Sequence, residues 1–151
     1  MEVEQGMLKD YEEVLRIWEG SVRSTHHFIS EEYIQELKGI ISNQALPAVD
    51  LYVVKNSEGI IQGFMGTAGD ILEMLFVSPT CFRKGIGKAL VSYAVKNCDV
   101  KRVDVNEQND GAYHFYVAQG FKMIRRSELD GLGRPYPILH MGLDKRCVEY
   151  I

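Results

Sequence analysis

Long apolar segments are absent from this sequence. No run approaches the roughly 20 apolar residues that span a bilayer. The opening MEVEQGMLKD also lacks the basic stretch followed by an apolar stretch that marks a secretory signal. We therefore expect a soluble, cytoplasmic protein with no membrane partner.

Cysteine is scarce as well. Cys81, Cys98 and Cys147 are odd in number, far apart and in no CxxC pair, which argues against a disulfide framework and against a zinc site. The histidines also lack the spacing of metal ligands; they are His26, His27, His114 and His140. We expect a reducing compartment and no bound metal.

Surplus positive charge is missing too. A net charge of -4 over 151 residues gives no general attraction to the phosphates of nucleic acids. Arg83-Lys84 and Arg125-Arg126 form local basic clusters. We expect no nucleic-acid partner.

No internal repeat, low-complexity tract or Pro/Ser-rich linker divides the chain, so residues 1–151 are expected to form a single domain. A short strand and two amphipathic helices come first, then a hairpin and a further strand, then strand-to-helix units and a closing hairpin from Phe121. The intervening strands fall on residues 51–54, 60–65, 72–77 and 103–105, and helices begin near Ser30, Gly85 and Asn109. This order predicts an α+β domain with a largely antiparallel central sheet flanked by helices.

The stretch from Leu75 to Leu90 carries the most informative pattern. A strand leads through Pro79 into a turn, and Gly85 and Gly87 open an amphipathic helix. Glycines allow a tight turn and a close approach, and the free N–H groups at a helix start bind anions such as pyrophosphate. An ordinary glycine-tolerant turn would show the same residues.

Two other glycine motifs do not match this loop. A Walker A loop needs GxxxxGK[ST], but no such pattern precedes Lys88, and Ala89 occupies the position of the magnesium-binding hydroxyl. A dinucleotide fingerprint needs a third glycine where Leu90 stands. The loop therefore indicates a phosphate site of a different kind.

The sequence resembles the GCN5-related N-acetyltransferase (GNAT) family, whose members carry V-x-P and G-x-G before one helix and N-x-x-A with Y-x-x-x-G-F in the next. The matching residues are Val77, Pro79, Gly85, Gly87, Asn109, Ala112, Tyr116, Gly120 and Phe121. The resemblance covers nearly the whole chain. The segments Ser21 to Phe28, Asn106 to Asn109 and Gly133 to Pro137 are similar to a bacterial, YjaB-like branch of the family.

The resemblance implies acetyl-CoA as cosubstrate and a sheet that splays between its fourth and fifth strands to admit the pantetheine arm. The arm would pair with the backbone of Phe76 and Val77 and would accept a hydrogen bond from Asn109, which is equally a good helix N-cap. The pyrophosphate would lie on the loop residues Arg83, Lys84, Gly85, Ile86, Gly87 and Lys88.

This loop departs from the family pattern at two positions. Phe82 stands where the family has Arg or Gln, and Arg83 stands where it has the first glycine. Backbone amides can still hold a pyrophosphate, because that task belongs to N–H groups. The departure therefore bears on affinity and leaves the binding mode intact.

The resemblance also implies that Tyr116 donates a proton to the departing thiolate, although a core aromatic residue would fit the same helix position. It does not fix the general base. Glu73, on the fourth strand with the parity of Leu75 and Val77, and Asp104, on the fifth strand, are the candidates, and a water-mediated base is the alternative.

The connector between the first two helices borders the acceptor pocket in this family. There, His26 would orient or deprotonate the amine and Phe28 would wall an apolar part of the acceptor, on the opposite side of the cleft from the coenzyme. The alternative is that His26 is solvated and Phe28 anchors the second helix.

Two functions remain open at this point. One is acetyl transfer to a primary amine, in a small molecule or a peptide, by direct attack without a covalent enzyme intermediate. The other is a coenzyme A-binding module with weak or lost catalysis that acts as a sensor or interaction protein. A monomer and a homodimer are both compatible with the sequence.

Overall fold

The computed structural model describes residues 1–143, so Cys147 lies outside it. A seven-stranded sheet has the order β1-β2-β3-β4-β5-β7-β6. Its strands are β1 (Val3–Gln5), β2 (Asp50–Lys55), β3 (Ile61–Ala68), β4 (Ile71–Val77), β5 (Arg102–Asn106), β6 (Phe121–Ser127) and β7 (Ile138–Leu143). The β4–β5 pair is parallel and the other neighbouring pairs are antiparallel, which confirms the expected α+β fold.

Helices cover both faces of the sheet. They are α1 (Tyr11–Thr25), α2 (Glu31–Ile40), α3 (Leu46–Ala48), α4 (Ile86–Asn97) and α5 (Asp110–Ala118). As expected, Ser30 caps α2, and its hydroxyl accepts a hydrogen bond from the Tyr33 amide at 3.2 Å. Within residues 1–143, each of these helices is too short or too polar to cross a membrane.

The sequence patterns did not predict α3 or the π-helical turn before it, which spans Ile41–Ala45. Both elements are a few residues long, so neither shows a full period of apolar residues. Pro47 occupies the first turn of α3, where its missing N–H leaves no hydrogen bond unmade.

Two buried clusters hold the layers together. The first packs α4 and α5 on one face of the sheet and includes Leu90, Val103, Val105, Tyr116, Phe121 and Met141. The second packs α1 and α2 on the other face, against β2 to β4, and includes Val14, Trp18, Ile34, Phe64 and Met74. Each large apolar side chain buried in this way stabilises the fold by about 1.5 to 3 kcal/mol.

A β-bulge in β4 opens the sheet. Gly66 of β3 pairs with Met74, and the next residue, Thr67, pairs with Leu72. Glu73 is therefore the extra residue of β4. Bulges bend a strand and increase its twist. Strand β5 pairs with β4 only at Ile71↔Arg102 and Leu72↔Val103, and beyond Leu72 the two strands diverge. The expected splay between the fourth and fifth strands is therefore present, and it begins at the bulge.

Candidate active site

A cavity of about 510 Å³ lies between the diverging strands. The start of α4, the start of α5 and the end of α1 complete its walls. Among the residues expected from the sequence, those that line it are His26, Glu73, Phe76, Val77, Arg83, Gly85, Ile86, Gly87, Lys88, Asp104, Asn109 and Tyr116. Lys84 and Phe28 are not part of the lining.

The loop before α4 leaves backbone donors free. Gly85 is the N-cap of α4 at φ 83°, and Arg83 also has a positive φ of 63°. No side chain caps this helix, and within the described part of the chain no carbonyl accepts from the amides of Ile86, Gly87 or Lys88, whereas the Ala89 amide bonds to the Gly85 carbonyl at 3.0 Å. These free donors form an anion site at the positive end of the helix.

The surroundings of Gly87 fit a ligand that approaches the backbone closely. Gly87 lines the cavity, and a Cβ atom at this position would stand 3.3 Å from the ring of Phe115, so a side chain would be crowded there. At Gly85 such an atom would meet nothing within 4 Å, so the positive φ is what favours glycine there. The residues present therefore fit the pyrophosphate of a coenzyme.

Asn109 ends the next loop differently. Its Oδ1 accepts from the Ala112 amide at 3.1 Å, which confirms the expected N-cap of α5. Its Nδ2 lies 3.3 Å from Nε2 of His26, across the mouth of the cleft. Since Oδ1 is the acceptor in the cap, Nδ2 donates to the imidazole.

His26 is held by a chain of hydrogen bonds. Its Nε2 accepts from Asn109, so Nδ1 carries the proton and donates to Thr25 Oγ1 at 2.7 Å. The Thr25 hydroxyl in turn donates to the Ser21 carbonyl at 2.8 Å. Burial, with a smaller contribution from His27, lowers the pKa of His26 to about 4. The ring is therefore neutral at physiological pH and too weakly basic to deprotonate an amine efficiently.

The contact between His26 and Asn109 joins the two expected sides of the cleft. His26 of the acceptor side bonds directly to Asn109 of the coenzyme side, because α1 has its C-cap at His26 and α5 has its N-cap at Asn109. The ring of Phe28 is half-buried, with ring centroids 5.3 Å from His26 and 6.3 Å from Tyr136.

Tyr116 occupies the wall opposite β4. Its ring packs edge-on against Phe115 and Phe121, and only 7% of the residue is exposed. Its hydroxyl makes no hydrogen bond with any residue from 1 to 143 and is not sealed off, because the residue borders the cavity. Burial raises the pKa of the phenol. The phenol therefore stays protonated and can donate into the cleft.

Glu73 and Asp104 stand at the point where the strands part. Burial first, and then the charge of Asp104, raise the pKa of Glu73. Glu73 lines the same cavity as Leu75 and Val77, whose parity it shares, although the bulge also brings Leu72 into their buried cluster. A carboxyl group with a raised pKa is suited to accepting a proton near neutral pH.

Sequence reasoning missed several polar partners around the cleft. His140 Nδ1 bonds to Asp104 Oδ1 at 2.7 Å. Tyr33 stacks on Tyr136 with ring centroids 5.1 Å apart, and its hydroxyl bonds to Asp130. The alternation along β7 already separated His140 from the buried residues Leu139 and Met141. No sequence pattern identified Asp104 as the partner of His140.

A split sheet with free helix amides at one end of the split is the arrangement of GNAT acetyltransferases, and residues 47–123 match the family model described as an acetyltransferase (GNAT) domain. The chain belongs to the GNAT family and is an N-acetyltransferase. Within residues 1–143, no three His, Cys, Asp or Glu side chains converge as a metal site would require.

Known relatives agree with this assignment. The peptidyl-lysine N-acetyltransferase YjaB of Salmonella typhimurium is 40% identical over 130 residues, which cover 86% of this chain and 89% of that protein. The solution structure of apo-form YjaB from Escherichia coli superimposes with a TM-score of 0.83 at 36% identity, over 93% of this chain and 95% of the other. The resemblance to the YjaB-like branch is thus confirmed.

A third comparison concerns the fold alone. A PaiA N-acetyltransferase from Thermoplasma acidophilum, solved in complex with coenzyme A, has a TM-score of 0.69 at 24% identity and covers 93% of this chain and 98% of its own. The splayed sheet is therefore shared with a protein that binds coenzyme A.

Proposed function

We propose that this enzyme uses acetyl-CoA and transfers the acetyl group by direct attack to the side-chain amine of a lysine in a peptide or protein. The observation that carries the proposal is that one cleft contains both the free amides of α4 and Tyr116, a largely buried residue whose hydroxyl has no partner within residues 1–143. The relatives named as peptidyl-lysine N-acetyltransferases support lysine as the acceptor.

The residues divide the work along the cleft. The amides of Ile86, Gly87 and Lys88 hold the pyrophosphate, and the unpaired edge of β4 at Phe76 and Val77 hydrogen-bonds the pantetheine arm. Bound acetyl-CoA supplies a thioester, whose acetyl carbon is open to an amine nucleophile. The splay makes room for the arm because β5 turns away beyond Leu72.

Two protons have to move during the transfer. Tyr116 donates one to the departing sulfur, and the raised pKa of the phenol keeps that proton in place until it is needed. Glu73 accepts the other from the amine. Because its pKa is raised, Glu73 is a stronger base than an ordinary carboxylate.

Replacing Tyr116 by Phe tests the proposal. We expect Tyr116→Phe to lower kcat by about 100-fold, the usual scale for a lost general acid, and to leave coenzyme A affinity unchanged. The measurement is the mass-spectrometric rate of acetylation of a lysine peptide. Tyr113→Phe is the matched control, because Tyr113 lies on the same helix and does not line the cleft.

Glu73→Gln tests whether Glu73 is the general base that accepts the amine proton. For the wild type, kcat/KM should fall with decreasing pH as Glu73 becomes protonated, since only the carboxylate can accept the amine proton. The variant should be slower and should lack this acid limb. An unchanged pH profile in Glu73→Gln would assign the base to a water molecule, and full activity in Tyr116→Phe would overturn the role of the phenol.

A further inference from the structure

Three side chains from three neighbouring strands form a hydrogen-bonded row beside the cleft. Asp104 of β5 accepts from His140 of β7 at 2.7 Å, and His140 Nε2 lies 2.7 Å from the Ser127 hydroxyl of β6. Arg125 donates to the same hydroxyl at 3.4 Å. The side chain of His140 is only 20% exposed, whereas that of Asp104 is 55% exposed.

The row accommodates both protonation states of His140. A carboxylate only accepts, so the Nδ1 of His140 carries a proton that it donates to Asp104. In the neutral ring, Nε2 accepts from the Ser127 hydroxyl; in the charged ring, Nε2–H donates to the same oxygen. Turning the hydroxyl is enough to satisfy either state, so the position of Asp104 is the same in both.

The row ends at the acceptor side of the cleft. Asp104 and Glu73 both line it, and the charge of Asp104 contributes to the raised pKa of Glu73, so the two carboxyl groups act on each other. Tyr116, 7% exposed and without a partner in residues 1–143, opens into the same cavity. Ser127 is not part of the lining, so its hydroxyl is not placed to attack a thioester.

From this arrangement we infer that His140 is a positioning residue, which holds Asp104 as the anionic anchor for the ammonium group of the acceptor. The inference rests on the proposed transfer to a primary amine. Such an amine, with an ordinary pKa of about 10.4, arrives protonated. A carboxylate held at one oxygen presents its other oxygen to that cation in a fixed place before the proton is removed.

The hydrogen bond from His140 holds the charged carboxylate of Asp104 in one place beside the cleft. The other charged groups around the row are Glu73 of β4, Arg102 of β5 and Arg125 of β6. Arg102 bonds to Asp70 at 2.8 Å, and its positive charge also acts on Asp104 and Glu73.

Binding of a lysine compound separates this role from turnover. The probe is Nα-acetyl-lysine methylamide, which keeps the side-chain ammonium group. Nα-acetyl-norleucine methylamide is the matched compound without that group, and both affinities come from NMR titration of the full chain. We expect His140→Ala to weaken binding of the lysine compound by about 10-fold and to leave binding of the norleucine compound unchanged.

His140→Asn is the second variant, because its amide can still donate to Asp104. It should restore most of the affinity for the lysine compound. His114→Ala, a change at an exposed histidine outside the cleft, should behave like the wild type.

Equal affinity of the wild type and His140→Ala for the lysine compound would overturn the inference, as would a loss in His140→Asn as large as that in His140→Ala. Melting temperatures identify a variant that is merely unfolded. If the lysine compound binds as described but no acetylated product ever forms, the proposed function fails while the anchor stands.

Discussion

The loops that lead from the two splayed strands into α4 and α5 face the same cleft and treat their helix amides differently. At α4 the N-cap is Gly85, which offers no side chain, and the first amides have no acceptor in the described part of the chain. At α5 the Asn109 carbonyl oxygen already satisfies the Ala112 amide. In the described part of the chain the amides of Asp110 and Gly111 also lack an acceptor, but the acidic side chain of Asp110 stands in that first turn and disfavours an anion. The start of α4 has three free amides and no acidic residue in its first turn, so it is the better anion site.

The difference shows how similar local structures acquire different tasks. A capped helix start is stable by itself, by about 1 kcal/mol relative to an uncapped one. An uncapped start forgoes that stability and keeps its donors for a ligand. The side chain of Asn109 caps α5 with its oxygen, and its N–H groups remain available to a partner across the cleft, which in this structure is His26.

The largest effect is expected at Gly87. Gly87→Val should lower coenzyme A affinity by at least about 100-fold, because the side chain meets Phe115 and covers amides that would each donate to a charged group. Calorimetry with coenzyme A measures the loss. The same change at Gly111, in the first turn of α5, should cost much less; equal losses at the two sites would erase the contrast between the loops.

A smaller effect is expected on folding stability when the pH falls and His26 becomes protonated. Burial lowers its pKa to about 4 from the ordinary histidine value of about 6.5, so near pH 5 the unfolded chain binds a proton here and the folded chain does not. Stability from this residue is therefore complete above about pH 6.5 and is lost as the pH falls toward about 4. Protonation would also remove the acceptor that Asn109 uses.

Denaturant unfolding at several pH values checks this. The wild type should lose about 2 kcal/mol more than His26→Gln over that window, because glutamine keeps an acceptor for Asn109 but does not titrate. His114→Gln serves as the control. Parallel losses in the wild type and His26→Gln would show that the His26 ring is not held neutral by burial.

The smallest effect is expected at Asn109, where two substitutions separate two tasks. Asn109→Ala should destabilise the fold by about 1 kcal/mol through the lost cap. Asn109→Asp keeps the capping oxygen and should be nearly as stable as the wild type, but it loses the N–H donor, so coenzyme affinity should fall about 5-fold in both variants. Unchanged affinity in Asn109→Asp would restrict this residue to capping.

Local signals in the sequence predicted much of this architecture. Ser30 and Asn109 precede apolar residues at helical spacing, and both are N-caps in the structure. Gly85 stands where a left-handed residue is needed before α4. Such features depend on a few adjacent residues, so they can be read without knowing what packs against them.

Features that depend on distant partners could not be read in this way. The bonds from His26 to Asn109 and from His140 to Asp104 join residues 83 and 36 positions apart. The bulge at Glu73 arises from pairing with β3, so counting alternate residues along β4 alone does not reveal it.

The most direct test of the account is an NMR titration of the backbone amides with coenzyme A. We predict large shifts for the N–H signals of Ile86, Gly87 and Lys88, with saturation at one common affinity, and a small shift for Ala112, whose amide already donates to Asn109. Unmoved α4 signals, or an Ala112 shift as large as theirs, would contradict the claim that the uncapped start of α4 is the phosphate site.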